Sequence, residues 1–306
     1  MSGLPRQRPP SPFRSGEMVG GPSSMDSKLL LDQGHVRLKQ CRYGPMLYLV
    51  TDQYIGQSLD RYGEFSEGEV EVFRQVIRPG WLILDIGANL GAHTIFLAKT
   101  TGPRGCVHAF EPQRVLFQML CANVALNALD NVYTHHTALG REPGMATVPR
   151  LDYTVSQNFG SLSLEGWSEG ERVPVATVDS LNLPACHLMK IDVEGMEADV
   201  LAGAEQTIRR FHPLLYVEND RQPKSAPLIR LVLAMEYRLY WHLPPLFNAR
   251  NYFGAAENAF GRMVSANMLG VPASVSQEIR GLPEITSPDD DWRRRIGEVI
   301  ANGERS

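Results

Sequence analysis

Acidic side chains beside a short glycine-containing segment are the first candidates for chemistry in this sequence. The apolar run LILDI contains Asp85 and is followed at once by the segment GANLG, residues 87–91. Gly87 and Gly91 allow the backbone to turn tightly and to approach a ligand. A helix that begins directly after them presents free N–H groups to an anionic group such as a carboxylate. Glu111 follows about twenty residues later, where an acid accepts hydrogen bonds from ribose hydroxyls.

This combination favours S-adenosylmethionine over a nicotinamide dinucleotide. A dinucleotide site requires the pattern GxGxxG, whereas this segment reads DIGANLG. A carboxylate at the position of Asp85 repels a pyrophosphate but attracts the ammonium group of methionine. The alternative is a tight turn with a helix cap and no ligand.

A second set of polar side chains follows two later apolar runs. Asp192 ends the run MKIDV, and Glu218 and Asn219 end the run LLYVEN. Adjacent strand ends lie about 5 Å apart, so Asp192 can share a ligand with either of them. Asp192 and Glu218 are therefore candidate catalytic residues that orient or deprotonate an acceptor. Together with Asn219 they are also candidate ligands for Mg²⁺, which prefers oxygen atoms. The alternatives are that Asp192 only caps a helix and that the polar cluster holds no metal.

Histidine supplies one further candidate base. His242 begins the long segment HLPPLFNARNYFGAAENAFG, and it is either a general base or a packed loop histidine. The aromatic residues in and beside this segment form either an apolar or sugar-stacking surface or a small core under the loop; they are Trp241, Phe247, Tyr252 and Phe253.

Three more titratable residues are predicted to be structural. His135 and His136 are neighbours on a predicted strand, so their side chains point to opposite faces and do not chelate one metal together. Lys190 lies two residues before Asp192, and we expect it to form an ion pair at the strand end rather than to act as a base.

The elements that position these residues alternate between strand and helix. Repeated βα units predict an α/β fold, a Rossmann-like doubly wound sheet that is mostly parallel, with ligands at the carboxyl ends of the strands. Residues 141–180 break the rhythm with the runs MATVPRL, GSLSLE and VPVATVDSL, which predict a β-hairpin insertion. The stretch of about fifty residues before the first βα unit is expected to add strands or a cap.

Composition and charge limit the classes of protein. With 43% hydrophobic and 21% charged residues, the chain is an ordinary globular protein. We predict a disordered tail over residues 1–28, one domain over residues 29–275 and a charged tail over residues 276–306. The formal net charge of −4 gives no general attraction to phosphate backbones, so nucleic acid is a disfavoured substrate. We expect no membrane span, no signal peptide and, from four unpatterned cysteines, a cytoplasmic protein.

Four motifs together resemble one family of enzymes. The runs LILDIGANLGAHT, VHAFEP, MKIDVEGMEADVLAGA and LLYVEND are similar to those of the FkbM family of S-adenosylmethionine-dependent methyltransferases. The resemblance covers residues 62–273 and implies a fold of the class I methyltransferase type. It further implies that the residues binding S-adenosylmethionine are Asp85, Gly87, Asn89, Gly91, Thr94 and Glu111. By the same resemblance Glu64 closes over the amino-acid end of the cofactor. The position of Asp192 at the carboxyl end of a predicted strand is expected to place it near the sulfonium.

The expected reaction is methylation of a hydroxyl oxygen on a small molecule, a sugar or a glycoconjugate. One alternative is an N-methyltransferase on the same scaffold. The other is a regulatory protein that binds the cofactor without catalysis.

Overall fold

The structure, a computed structural model, describes residues 28–276 and 279–296 of the 306-residue chain. Most of the predicted N-terminal tail, residues 1–27, and the last ten residues, 297–306, lie outside the described residues. Lys28, the final residue of that predicted tail, is buried.

The elements are numbered in chain order. The strands are β1 (Leu29–Gln33), β2 (Val36–Cys41), β3 (Gly44–Leu49), β4 (Leu82–Ile86), β5 (Cys106–Phe110), β6 (Val132–His135), β7 (Ala138–Leu139), β8 (Gly144–Val148), β9 (Glu171–Ala176), β10 (Leu188–Ile191), β11 (Leu214–Glu218), β12 (Tyr237–His242), β13 (Asn267–Pro272) and β14 (Glu284–Ile285). The α-helices are α1 (Ile55–Tyr62), α2 (Glu67–Val76), α3 (Ala92–Thr101), α4 (Arg114–Leu126), α5 (Glu197–Ala202), α6 (Glu205–Phe211) and α7 (Gln222–Ala234).

The main sheet positions the candidate residues at one edge. Its eight strands have the order β14-β12-β13-β11-β10-β4-β5-β6. Strands β6, β5, β4, β10 and β11 are parallel, whereas β13 is antiparallel to both β11 and β12, so β12 runs in the parallel direction. This confirms the predicted doubly wound, mostly parallel α/β sheet. The carboxyl ends of five strands, where ligands bind in such sheets, therefore meet at one edge.

Alternation along the central strands separates the core into two layers. In β4, Leu84 and Ile86 belong to the apolar cluster that contains Ile229 of α7, whereas Ile83 belongs to the cluster on the opposite face with Phe73 of α2. All residues of this strand are buried because helices cover both faces of the sheet. Asp85 shares the face of Ile83, since side chains alternate along a strand.

The segment before β4 adds strands, as predicted, and also two helices. Strands β1, β2 and β3 form a separate antiparallel sheet. Tyr48 and Leu49 of β3 pack in one apolar cluster with Leu116 and Leu120 of α4. The small sheet is thus held against the outer side of the βα units, and α1 and α2 connect it to the main sheet.

The insertion after β6 differs in part from its prediction. Strands β8 and β9 pair as an antiparallel hairpin, and β7 extends it to a three-stranded sheet. The run GSLSLE, residues 160–165, is not a strand, so that prediction was wrong. The Asn158 side-chain oxygen accepts hydrogen bonds from the backbone N–H groups of Gly160 and Ser161, which favours a local turn over a strand ladder.

The predicted boundary after residue 275 does not coincide with the end of the sheet. Strand β14 pairs with β12, and its Ile285 is only 2% exposed. Trp292 lies in a helical stretch at residues 292–296 and packs against the main apolar cluster. These apolar side chains have surface to bury, so part of the segment predicted as a charged tail packs on the sheet.

Candidate active site

A cavity of about 530 Å³ opens at the carboxyl edge of the main sheet. Its wall includes residues from the ends of β4, β5, β10 and β11 and from the loop between β12 and β13. The cavity therefore lies where the predicted candidate residues were expected to meet.

The loop after β4 comes close to β10 because it contains glycine. Gly87 has a φ of 80°, and a Cβ added there would lie 1.8 Å from the backbone oxygen of Asp192. Gly91 has a φ of 90° and is the N-cap of α3, and a Cβ there would meet Leu120 of α4 at 2.7 Å. Both positions therefore require glycine, one for the approach to β10 and one for the packing of α4.

Glu111 anchors the same loop from β5. Its two carboxylate oxygens accept hydrogen bonds from the backbone N–H groups of Asn89, at 2.9 Å, and Gln113, at 2.7 Å. Burial raises the pKa of Glu111 to about 7, although these two hydrogen bonds oppose the shift. Glu111 and Asn89 both line the cavity, so this carboxylate is available to a ligand there.

Some residues that the resemblance assigned to the cofactor lie behind the cavity wall. Among the described residues, Asp85, Gly91 and Thr94 do not line the cavity. Thr94 Oγ1 donates to Asp85 Oδ2 at 2.6 Å, and Lys190 Nζ lies 3.5 Å from Asp85 Oδ1. Asp85 is fully buried, so we interpret it and Thr94 as supports of the glycine loop.

Asp192 faces the cavity and does not cap a helix. Helix α5 begins only at Glu197, with Met196 as its N-cap and no capping side chain. Instead, Glu197 Oε1 accepts hydrogen bonds from the backbone N–H groups of Val193 and Gly195. The Asp192 side chain is 37% exposed and contacts Lys190 Nζ at 3.2 Å. The alternative that Asp192 only caps the helix therefore does not hold.

Lys190 forms the predicted ion pair at the end of its strand. Its ammonium group lies between Asp85 and Asp192. Although burial lowers it, these two carboxylates raise the pKa of Lys190 above its ordinary value, first Asp192 and then Asp85. A permanently charged Lys190 is a poor base and a good partner for Asp192.

Three carboxylates, rather than two and an amide, converge at the cavity. One oxygen atom from each of Asp192, Glu194 and Glu218 lies within 4.8 Å of the others. Burial raises the pKa of Glu218, and the neighbouring Asp192 adds to the shift. Glu218 Oε2 has no hydrogen-bond partner among the described residues. Burial likewise raises the pKa of Glu194, which forms an ion pair with Arg221.

Asn219 does not join this cluster, which corrects its predicted place as a metal ligand. Neighbouring residues at a strand end point to opposite faces, and Asn219 is buried with its Nδ2 directed to Met268 Sδ at 3.1 Å. Glu194 takes its place because its φ of 58° turns the loop after β10 back toward Glu218.

His242 is packed away from the cavity, which corrects its predicted role as a base. Its Nδ1 shares a hydrogen bond with Tyr216 Oη at 2.8 Å, and the ring is buried. Burial lowers the pKa of His242. His135 and His136 have separate partners, His108 Nδ1 and the Pro112 oxygen, as their alternation predicts.

The long loop after β12 lines the cavity, but its aromatic residues named above do not. Trp241 is fully buried, Phe247 packs edge-on against Tyr62, and the Phe253 ring fills the space beside Gly63. These contacts favour the small core over the sugar-stacking surface. The loop residues that do line the cavity are Leu246, Met263, Val264, Ser265 and Ala266.

A comparison with known protein families identifies the family of this chain. The sequence model of a protein family described as "Methyltransferase FkbM domain" matches residues 85–240, which is half of the chain. The chain belongs to the FkbM methyltransferase family.

Two curated methyltransferases match part of this chain. "Methyltransferase 1" of Beauveria bassiana (strain ARSEF 2860) is 31% identical over 145 residues, which are 40% of this chain and 58% of that protein. "31-O-demethyl-FK506 methyltransferase FkbM" of Streptomyces tacrolimicus is 29% identical over 160 residues, 42% of this chain and 61% of that protein. The chain thus spans about three fifths of the length of these relatives.

A solved structure of an FkbM methyltransferase, from Methylobacillus flagellatus KT, is also similar. It is 19% identical with a TM-score of 0.44, and the match covers 72% of this chain and 55% of that one. Within the described part of this family member, no helix is both long and apolar enough to cross a membrane.

The family match begins at residue 85, and one predicted site residue lies upstream of it. Glu64, predicted at the cofactor, is buried elsewhere. Its carboxylate accepts hydrogen bonds from Arg42 Nε at 2.6 Å, Asn248 Nδ2 at 2.8 Å and the Tyr252 N–H at 2.8 Å. Glu69 lines the cavity instead. Residues 64–71 contain four glutamates, and no spacing in the sequence distinguishes the one at the cavity.

Glu64→Gln is therefore expected to leave cofactor affinity within about twofold of wild type, because Glu64 does not line the cavity. The same change should loosen the loop 243–266, since it weakens charge-assisted hydrogen bonds to the Arg42 and loop donors. Calorimetry with S-adenosylhomocysteine and hydrogen exchange of the loop would measure the two effects. A large loss of affinity with an unchanged loop would restore the original assignment of Glu64.

Two further groups of cavity residues were missed by sequence reasoning. Asn158, Ser161 and Leu162 come from the insertion, and Trp292 and Arg293 come from the C-terminal segment. The only signal for the second group is a single tryptophan within the charged run DDDWRRR. Their approach to the cavity depends on how distant segments pack.

Proposed function

We propose that this chain transfers the methyl group of S-adenosylmethionine to a hydroxyl oxygen of a small molecule, a sugar or a glycoconjugate. The observation that carries the proposal is one cavity with Glu111 on one wall and Asp192 on another. The first is suited to a ribose and the second to an acceptor.

The residues present fit S-adenosylmethionine. Glu111 offers lone pairs to ribose hydroxyls, and both Glu111 and Gly87 line the cavity. The carboxylates of Asp192, Glu194 and Glu218 favour a ligand that carries positive charge, as the sulfonium does. When bound, S-adenosylmethionine supplies an electrophilic methyl group, so the protein mainly contributes proximity and deprotonation.

Asp192 is the residue proposed to act on the acceptor. Lys190 holds one side of its carboxylate, while the other part of the side chain is exposed to the cavity. In this position Asp192 would orient an acceptor hydroxyl and accept its proton. The methyl carbon would pass to that oxygen as its bond to sulfur breaks, and S-adenosylhomocysteine would leave. Glu218, with an unpartnered oxygen nearby, is proposed to receive or share that proton.

The convergent carboxylates support an oxygen acceptor over a nitrogen one. A neutral amine needs no strong base, so an N-methyltransferase would be insensitive to loss of these carboxylates. A non-catalytic cofactor-binding protein has no use for an acceptor-facing Asp192. Single-turnover assays with labelled cofactor distinguish an enzyme from such a non-catalytic protein, because only an enzyme passes the label to an acceptor.

We also propose that Asp192, Glu194 and Glu218 can hold Mg²⁺, which would lower the pKa of an acceptor hydroxyl. If so, EDTA should abolish turnover and added Mg²⁺ should restore it. Glu194→Gln should then raise the Mg²⁺ concentration needed for half-activation, whereas Asn219→Ala should not. Full turnover in EDTA would exclude the metal and leave the carboxylates as the acceptor site.

A methyl-transfer screen tests the function itself. Purified protein would be incubated with S-adenosylmethionine and panels of hydroxylated metabolites and saccharides, and products read by mass. We expect a gain of one methyl group on an oxygen of at least one acceptor. A methyl group found only on nitrogen, or formed only on nucleic acid, would overturn the proposal.

A further inference from the structure

One wall of the cavity has, apart from Lys190, no assigned role in the preceding proposal. It consists of Phe65, Glu69, His93 and Lys190, which lie beside the start of α3. Asp85 and Lys190 are register partners on β4 and β10, so this wall lies on the α2 side of the sheet.

His93 is the most unusual residue of this wall. It is only 6% exposed, and its ring contacts Phe65 and Phe73 with centroids 5.6 Å away in each case. Its Nε2 has no hydrogen-bond partner among the described residues. A buried polar group without a partner is costly, and His93 lines the cavity, where a ligand can supply one.

The imidazole is neutral under ordinary conditions. Burial, and then the nearby Lys190 ammonium, lower the pKa of His93 to about 4. A neutral imidazole offers one N–H donor and one acceptor. In its Nε2–H tautomer His93 donates a hydrogen bond without bringing a charge into the cavity.

The start of α3 adds further donors at the same place. Gly91 is the N-cap of this ten-residue helix and has no side chain to cap it. The N–H groups of a first helical turn have no partner within the helix, and they favour an anion. His93 is the second residue of α3, so its side chain lies at the same end of the helix as these N–H groups.

The charges of the wall are mixed rather than uniform. Lys190 is a cation, whereas Glu69 carries a carboxylate. Glu69 is buried, lines the cavity and accepts a hydrogen bond from Ser66 Oγ at 2.7 Å. A simple anion or a simple cation would be repelled by one of them. A ligand end with both a carboxylate and an ammonium group matches the whole wall.

We propose that His93 binds the α-carboxylate of the methionine part of the cofactor, with Glu69 facing its ammonium group. The inference rests on the proposed function, since it assumes that the cavity holds S-adenosylmethionine. It assigns a cofactor-binding role to His93, in place of the one predicted for Glu64.

Two ligands that differ only at this end test the assignment. S-adenosylhomocysteine carries the amino-acid group, and 5′-methylthioadenosine lacks it. His93→Phe keeps an aromatic ring between Phe65 and Phe73 but removes the nitrogen atoms. We expect this change to lower the affinity for S-adenosylhomocysteine about 10- to 100-fold, the effect of losing one hydrogen bond to a charged group. The affinity for 5′-methylthioadenosine should stay within about twofold.

Controls separate this inference from the proposed function. Glu111→Ala should weaken both ligands to a similar extent, because both contain the ribose. His93→Gln, which retains an N–H donor, should recover part of the affinity for S-adenosylhomocysteine. If His93→Phe lowers the affinity for both ligands equally, or for neither, the proposed role of His93 is overturned. Failure of the wild-type protein to bind S-adenosylhomocysteine would instead overturn the proposed function.

Discussion

Asp192→Asn is expected to lower the turnover number by about 10²–10⁴-fold, the usual scale for a group that transfers a proton. The substitution keeps the size of the side chain and its contact with Lys190 but removes the basic carboxylate. Affinity for S-adenosylhomocysteine should change far less, because Asp192 acts on the acceptor. Single-turnover rates with labelled cofactor and an acceptor found by the screen would measure the effect.

The matched control for Asp192 is an aspartate outside the cavity. Asp199 lies on α5 and forms an ion pair with Arg141, and Asp199→Asn should leave the turnover number nearly unchanged. The structure excludes helix capping as the reason for any loss at Asp192, since Met196 is the N-cap. Near-normal turnover in Asp192→Asn, with or without EDTA, would end the proposal that Asp192 is catalytic.

Glu111→Ala is expected to weaken the binding of S-adenosylmethionine and S-adenosylhomocysteine by about 2–4 kcal/mol, because two charge-assisted hydrogen bonds to the ribose are lost. The loss includes the anchoring of the glycine loop, because Glu111 accepts the Asn89 N–H. Calorimetry with both ligands would measure it. Glu205→Ala on the exposed side of α6 is the control, and unchanged affinity in Glu111→Ala would contradict the ribose assignment.

The raised pKa of Glu111 predicts the sign of a pH effect. Ribose hydroxyls donate to the ionised carboxylate, and this group has a pKa of about 7 in the free protein. Ligand affinity should therefore fall as the pH decreases through that value, because protonation removes an acceptor. Glu111→Gln should abolish this part of the pH dependence.

The sequence by itself determined the fold class and the loop at the centre of the site. The strand LILDI, the tight turn at the glycines that follow it and the place of Glu111 at the same edge of the sheet followed from local geometry. A backbone with positive φ favours glycine wherever it occurs, and a parallel sheet brings strand ends to one edge whatever packs around it. The pairing of Asp192 with Glu218 followed from the same rule.

Only the tertiary structure decided which neighbouring residue faces the cavity. Glu69 rather than Glu64, and Glu194 rather than Asn219, line it because a side chain's direction depends on the phase of its strand or turn. His242 is not a cavity residue, because its ring forms a hydrogen bond with Tyr216, which lies far from it in the sequence. Trp292 reaches the cavity because β14 pairs with β12. These outcomes depend on long-range packing, which cannot be inferred from residue types and their spacing.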